Sequence, residues 1–506
     1  MGIRDFTLWS VIERNARWNG QDTAFVFNDT AYSHAQYAER ARRLAAGLVR
    51  AGVARGDRVA VVAQNRPEIL DLYAAAARLG VIVVPVNWRL SPEEMAHAVT
   101  DTRPKLLLAD PEYQPALAAL RTRSPGLSAC LGYDRTEAGF DPYTALLEGA
   151  ADTDAPGAEA HDGFVIIHTA AVGGLPRGAL LSHAGLLTAG LQLIQRWQLG
   201  RQDVGLGMLP LFHVSGLGQF LAMLQAGGKT LVSARFDARA AARQIAEHRV
   251  TVFSAFAPML GAILDAAAAE GSDLSSLRAV SGLDTRDTIE RFHILCPQAD
   301  FWSGYGQSEV SGSATLARYR ERPGAAGRPG LLTEVAVVDE QERPLPPGHS
   351  GEIVVRGPTV FVGYWGLEDD TREAFRNGWH HTGDLGRFDE DGYLWFEGRT
   401  PAKELIKPGG ENVYPAEVER VLLEHPAIAE AVVFGAPDPE WGEAVRAACV
   451  CQPGVDAPDE RVLIEFVGAR IARFKKPKRV IFLDALPRTA AGLPDRAAIR
   501  ATHGQA

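Results

Sequence analysis

Cysteine is scarce, at four in 506 residues, which excludes a disulfide-stapled fold. Cys130, Cys296, Cys449 and Cys451 form no Cys-x-x-Cys pair, and Cys449 and Cys451 lack nearby histidines at zinc-binding spacing. Scattered free thiols in a reducing compartment are the expectation. Long apolar runs are missing too: nothing approaches the ~20 uninterrupted residues of a membrane helix. Arg4, Asp5 and Glu13 break up the start of the chain, so no signal peptide is expected. Excess positive charge is also absent. The net charge of −10 argues against a nucleic-acid groove, while leaving room for a local basic patch that takes an anion. The Gly-Lys-Ser/Thr ending of the common phosphate loop is missing from the glycine-containing segment 168–179. These absences leave a cytoplasmic enzyme of ordinary composition, with no nucleic-acid partner and no integral membrane segment. Its sequence is compatible with a homo-oligomer.

The length exceeds what one core supports, so two or more domains are expected. Residues 36 to 52 place Ala41, Leu44, Ala45 and Leu48 at helical spacing, and a second helical stretch runs over 67 to 79. Short aliphatic runs lie between, at 58 to 63, 81 to 85 and 106 to 109. The alternation recurs near 228 to 233 and 250 to 253, which predicts parallel α/β layers. Residues 148 to 163 read as a solvated connection. Beyond 325 the short runs at 335–339, 351–356 and 392–396, set between turns, predict a small β-rich subdomain. From 403 the pattern becomes compact α+β: a helix over 415–424, strands over 430–434 and 444–451, a helix over 459–472 and a strand over 479–483. A boundary between domains 1–402 and 403–506 follows.

Four segments carry candidate chemistry. The first, His168-Thr-Ala-Ala-Val-Gly-Gly-Leu-Pro-Arg-Gly178, follows the buried run Phe164–Ile167 and precedes a helix near Ser182. Strand, small-residue turn and helix would cradle an anion on backbone N–H groups, with Arg177 adding positive charge. Alone, a tight strand–helix connection fits as well. Trp302-Ser-Gly-Tyr-Gly-Gln-Ser-Glu309 groups an aromatic ring, a hydroxyl and a carboxylate that could hold Mg²⁺. Gly378-Trp-His-His-Thr-Gly-Asp384 places an acid after a tight turn, suited to ribose hydroxyls. Lys403-Glu-Leu-Ile-Lys-Pro-Gly-Gly-Glu-Asn-Val-Tyr-Pro415 sets two lysines and a Gly-Gly pair before a helix opening at Pro415. Each taken singly is more often a loop or turn.

In this order and at these separations the four resemble the adenylate-forming superfamily, in its acyl- and aryl-CoA synthetase branch. The resemblance spans nearly the whole chain. It includes Pro85-Val-Asn-Trp-Arg-Leu, Leu209-Pro-Leu-Phe-His-Val, Gly351-Glu-Ile-Val-Val-Arg-Gly-Pro, Phe474-Lys-Lys-Pro-Lys and Leu486-Pro-Arg-Thr. It implies a large N-terminal domain of layered α/β subdomains plus a small β-rich subdomain, then a small, mobile α+β C-terminal domain. It implies an ATP- and Mg²⁺-dependent acyl-CoA synthetase that makes acyl-AMP from a fatty or aryl acid and passes the acyl group to coenzyme A. Thr169, Gly173, Gly174, Arg177 and Gly178 would form the phosphate loop. Tyr305 and Gly306 would meet adenine opposite Ser281 and Gly282. Ser308 would touch the α-phosphate and Glu309 would bind Mg²⁺. Asp384 and Arg399 would hold the ribose, and His213 would stand where the acid meets the α-phosphate. Gly409 and Gly410 would line the pantetheine tunnel, with the hinge near Lys403. The acyl pocket would lie between His213, Gly282–Thr285 and Trp302–Gly304, with Trp302 and Phe212 as aromatic walls.

Two departures stand out. Ala170, Ala171, Val172 and Gly173 replace the hydroxyl-rich part of the loop, and Arg177 replaces its lysine. The terminal signature reads Pro487-Arg-Thr-Ala-Ala-Gly-Leu493, with leucine in place of the lysine that bridges carboxylate and phosphate. Lys403, Lys407 or Arg496 is expected to supply that charge. Other readings are an acyl-adenylate former that loads a carrier protein, and a pseudo-ligase that binds nucleotide or acyl-CoA.

Overall fold

The computed structural model describes residues 5–124, 126–137, 139–149, 153–172, 175–400, 404–489 and 494–504. Four sheets form among them. In the first, the aliphatic run Arg58–Val62 lies between Ile82–Pro85 and Leu106–Ala109, all parallel and buried on both faces by helices. His34–Arg50 and Pro67–Leu79 are two of those helices, close to the expected bounds. Ser33 caps the first through a reciprocal capping box with Gln36. Pro67 opens the second and Gly80, at φ +68°, ends it.

The second sheet runs parallel through Val204–Gly207, Lys229–Val232, Val252–Phe256, Ala279–Leu283 and Asp300–Gln307. The third is the β-rich part, where Glu334–Val338, Gly351–Arg356, Trp379–Phe388 and Leu394–Arg399 pair antiparallel. The fourth is the hairpin Ile428–Asp438 and Gly442–Cys451, with Arg479–Phe482 added parallel. Helices Pro415–Leu423 and Glu460–Gly468 pack on it through Val418, Val421, Leu422, Leu463 and Val467. All four cysteines are free and three are buried. Burial pushes the Cys130 and Cys296 thiols up to about 11 and Cys449 up to about 12. Among the described residues no helix is long and apolar enough to cross a membrane.

The phosphate-loop segment differs from the expected strand–turn–helix. Gly163–Val172 turns back as a second strand, Leu175–Ser182, in register His168↔Gly178 and Thr169↔Arg177. Only then does the helix His183–Trp197 begin, capped by Ser182. A hairpin forms because Gly178-Ala-Leu-Leu181 pairs against Val165-Ile-Ile-His168 rather than entering the helix. The helix therefore follows the second strand rather than the loop itself.

Candidate active site

The parallel strands of the second sheet deliver the nucleotide-side residues at their carboxyl ends, where open α/β sheets place ligands. Ser281 pairs with Ser254 and Trp302 across neighbouring strands. Gly282 follows at φ +152°, and a Cβ there would lie 1.6 Å from the Ala255 carbonyl oxygen. Gly306 is equally closed, with the Gly312 carbonyl oxygen 1.8 Å from a would-be Cβ. Both positions thus require glycine because backbone runs against backbone.

Tyr305 is buried; its hydroxyl donates to Asp384 Oδ2 at 2.7 Å. Its ring stacks on Phe396 at 6.2 Å, so the predicted adenine-stacking ring faces an aromatic partner on the neighbouring β-rich sheet. Gln307 also donates to Asp384 Oδ2, at 2.5 Å, and Arg399 Nε stands 3.4 Å from Oδ1. Asp384 is positioned by its own turn: Thr382 Oγ1 accepts from the Asp384 N–H, and Glu352 accepts from the Gly383 N–H.

Glu309 sits in the 3-10 turn Ser308–Val310 and is buried. Thr169 Oγ1 donates to its Oε1 at 3.0 Å, tying the loop hairpin to the carboxylate 140 residues on. The Tyr364 hydroxyl donates to the same oxygen at 3.0 Å. Arg177 is buried; it donates to Asp370 at 2.8 Å and to the Tyr364 hydroxyl oxygen at 3.2 Å. Gly178 is confined by Ile166, 2.6 Å from a would-be Cβ. Gly173, Gly174 and Lys403 lie outside the described residues, as does Leu493. No group of three or more His, Cys, Asp or Glu clusters as a metal cage among the described residues. A lone buried carboxylate fits Mg²⁺, which takes most of its ligands from phosphate and water.

His213 caps the helix Val214–Ala226, and the loop before it is held from the first sheet. Asn65 accepts from the Leu211 N–H at 2.9 Å and donates to the Leu209 carbonyl at 2.9 Å; Tyr73 donates to the Leu211 carbonyl at 2.8 Å. From the C-terminal part, Glu411 reaches His213 Nε2 at 3.4 Å, accepts from Asn87 at 3.0 Å, and is salt-bridged to Arg89. Burial raises the Glu411 carboxyl, but His213 and Arg89 outweigh it and hold it down to about 2. A Cβ on Gly410 would lie 3.3 Å from Phe256, and Gly409, at φ +57°, is closed by Trp441. Burial lowers the Lys407 ammonium pKa, as does Arg399, while Asp384, Glu443 and Glu309 act against that. Arg496 is committed to Glu404 at 2.7 Å and Glu419 at 2.5 Å.

Trp302 and Phe212 do not share a wall. Trp302 packs in a core with Trp197, Met223 and Leu316, and Phe212 stands edge-on to Trp88 at 6.3 Å. The cavity containing Phe212 and His213 is lined instead by Asn87, His168, Thr169 and Tyr414. Sequence reasoning left Gln307, Tyr364, Phe396, Glu411 and Trp441 unassigned. Gln307 and Glu411 stand inside quoted motifs, so their neighbours were the available signal.

The model of the AMP-binding enzyme matches residues 12–365, and that of the AMP-binding enzyme C-terminal domain matches residues 417–493. The chain belongs to the AMP-binding enzyme family. Curated relatives it matches are named as aryl- and fatty-acid CoA ligases. It is 35% identical over 491 residues to an indoleacetate–CoA ligase of Aromatoleum aromaticum, covering 95% of each chain. It is also 35% identical to a feruloyl-CoA synthase of an Amycolatopsis species, covering 96% of each. A solved structure described as a putative long-chain-fatty-acid CoA ligase from Rhodopseudomonas palustris is 50% identical, with a TM-score of 0.76, over 79% of this chain and all of that one. The o-succinylbenzoate CoA synthetase of Bacillus subtilis appears in two states. A double mutant bound with its product analogue superposes with a TM-score of 0.87, at 28% identity and 98% and 99% coverage. The complex with the acyl-adenylate intermediate gives 0.72, at 27% identity and 98% and 99% coverage.

Proposed function

We propose that this chain activates a fatty or aryl carboxylic acid with Mg·ATP and transfers the acyl group to coenzyme A, using the residues assembled around Glu309. The carrying observation is the hydrogen bond from Thr169 to Glu309, which joins the loop hairpin to the Trp302–Glu309 segment whose Tyr305 is bonded to Asp384. In the first step a carboxylate oxygen attacks the α-phosphorus of ATP. The P–O bond to pyrophosphate breaks, leaving acyl-AMP. In the second the CoA thiolate attacks the acyl carbon and AMP leaves, taking the electron pair of the acyl–oxygen bond. Bound Mg²⁺ would neutralise charge on the phosphates, with Glu309 as its protein ligand.

The chain's own groups mostly position and neutralise. Asp384 and Arg399 orient the ribose, and Tyr305 and Gly306 form the base slot with Ser281 and Gly282. Ser308, Thr169 and Gly178 address the phosphates, and the sequence assigns Gly173 and Gly174 to the same loop. His213 stands beside the acid. We divide the chain at 402/403, with Lys403 at the hinge. The higher superposition on the product-bound relative, and the Gly409–Gly410 loop against Phe256, support the thioester-forming arrangement of the two parts. We read Lys407, buried within electrostatic reach of Arg399, Asp384, Glu443 and Glu309, as the cation that would stabilise departing AMP. Arg496 is held by its two carboxylates, which favours Lys407 among the described cations.

The test is a panel of aryl and fatty acids scored for AMP and acyl-CoA. The reading expects acid-dependent AMP release that CoA accelerates, with one acyl-CoA per AMP. AMP release to a carrier protein but not to CoA would replace CoA as the acceptor. ATP binding without AMP formation from any acid would overturn the enzyme reading.

A further inference from the structure

Arg177 stands where a phosphate-loop cation is expected, and its guanidinium is tied to Asp370 and Tyr364. Its Nη1 donates to Asp370 Oδ1 at 2.8 Å, and its Nη2 donates to the Tyr364 hydroxyl oxygen at 3.2 Å. The guanidinium carbon also lies 3.9 Å from the centroid of the Tyr364 ring. A guanidinium only donates and an ionised carboxylate only accepts, so the direction of this chain of bonds is fixed. Tyr364 must accept from Arg177 and give its single proton to Glu309 Oε1, 3.0 Å away. Tyr364 is itself anchored, its N–H donating to Thr371 Oγ1 at 2.9 Å and its ring set edge-on to Phe361 at 4.8 Å. The backbone of Phe361 in turn donates to the Glu309 carbonyl at 2.8 Å. Both ends of Glu309, its carbonyl and its carboxylate, are thus referred to the one segment 361–364.

We propose that Arg177 is a positioning residue, held by Asp370 and acting through the Tyr364 hydroxyl to fix the carboxylate of Glu309. This rests on the reading of Glu309 as the Mg²⁺ ligand. Arginine suits the role where lysine does not: a planar fork reaches Asp370 and Tyr364 together and stacks on the ring, whereas an ammonium is a point charge. Thr169 and Tyr364 together place two hydroxyl donors on Glu309 Oε1.

The experiment measures calorimetrically how Mg²⁺ strengthens binding of a non-hydrolysable ATP analogue, and in parallel the Mg²⁺ dependence of AMP formation. Tyr364→Phe keeps the ring and removes the hydroxyl; Arg177→Lys keeps the charge and removes the fork. Both are expected to raise half-saturating Mg²⁺ by about tenfold, the loss of one hydrogen bond to a charged group. KM for CoA is expected to move less than twofold. Should Arg177→Lys fail to fold, Asp370→Asn releases the same guanidinium and is expected to shift Mg²⁺ dependence the same way. Unchanged Mg²⁺ dependence in Tyr364→Phe overturns the proposal. So does an Arg177→Lys variant that weakens the analogue equally with and without Mg²⁺, which marks a direct phosphate ligand. Glu309→Gln separates the two levels. If it leaves Mg²⁺ dependence intact, the metal reading fails; if it alone shifts that dependence, only the positioning role fails.

Discussion

At the residue scale, the site is a set of carboxylates whose oxygens are already assigned. Asp384 Oδ2 accepts from Tyr305 and Gln307, and Glu309 Oε1 from Thr169 and Tyr364. Such bonds pre-orient the acceptors, so little reorganisation remains when the nucleotide arrives. The sequence identified Asp384 and Glu309 because a turn and a Gly-rich run frame them. It could not identify Tyr364, which lies 55 residues beyond Glu309 and meets it only through the fold. Lys407→Met is expected to slow acyl-CoA formation from preformed acyl-AMP by ~10²–10³, the cost of one lost charged donor. Rapid-quench measurement of that half-reaction checks it, and a change below threefold would remove Lys407 from the step. Conversely, Leu493→Lys is expected to raise the rate of the first half-reaction, read as acid-dependent pyrophosphate release.

At the scale of elements, parallel strands were legible because their aliphatic runs are short, buried on both faces and spaced by helical repeats. Val59, Val61, Val83 and Leu106 illustrate the pattern, and all four are fully buried or nearly so. The phosphate-loop hairpin was not legible. Leu175–Ser182 carries the apolar residues of either a strand or the lead-in to a helix, and its pairing with 163–172 is a tertiary fact. Gly282 shows how tightly these elements abut. Gly282→Ala drives a methyl into the Ala255 carbonyl oxygen at a backbone conformation that disfavours it, and is expected to cost about 1–3 kcal/mol. Gly261→Ala serves as control. It lies in the helix Met259–Glu270 with nothing nearer than 3.8 Å, and is expected to be neutral or stabilising. Denaturant unfolding compares the two, and equal effects would contradict the close approach.

At the scale of the whole molecule, the C-terminal part is docked by charge. Lys475 is buried between Glu94 at 2.6 Å and Glu417, and burial, which lowers its pKa, is outweighed by the two carboxylates. Glu411 supplies the second clamp, on Arg89 and His213. Its folded value of about 2 lies below the ordinary 4.5, so its stabilisation is complete above that ordinary value and fades as pH falls towards 2. Between pH 5 and 3 the clamp is expected to lose about 2 kcal/mol. Thermal unfolding across that window should therefore show a shallower slope in Glu411→Gln than in the unaltered chain, and parallel slopes would contradict the clamp. The sequence marked this part as separate, since its α+β pattern restarts after 403. It could not show where the part rests, because Glu94 and Lys475 are 381 residues apart.

The central claim is that one cleft joins a carboxylate to the α-phosphorus of ATP. Incubating the protein with ATP, CoA and a carboxylic acid labelled with ¹⁸O in both carboxyl oxygens tests this most directly, by mass spectrometry of the AMP released. Attack by the carboxylate predicts one ¹⁸O atom in each AMP and none in pyrophosphate. AMP free of label, or label recovered in pyrophosphate, would contradict the account.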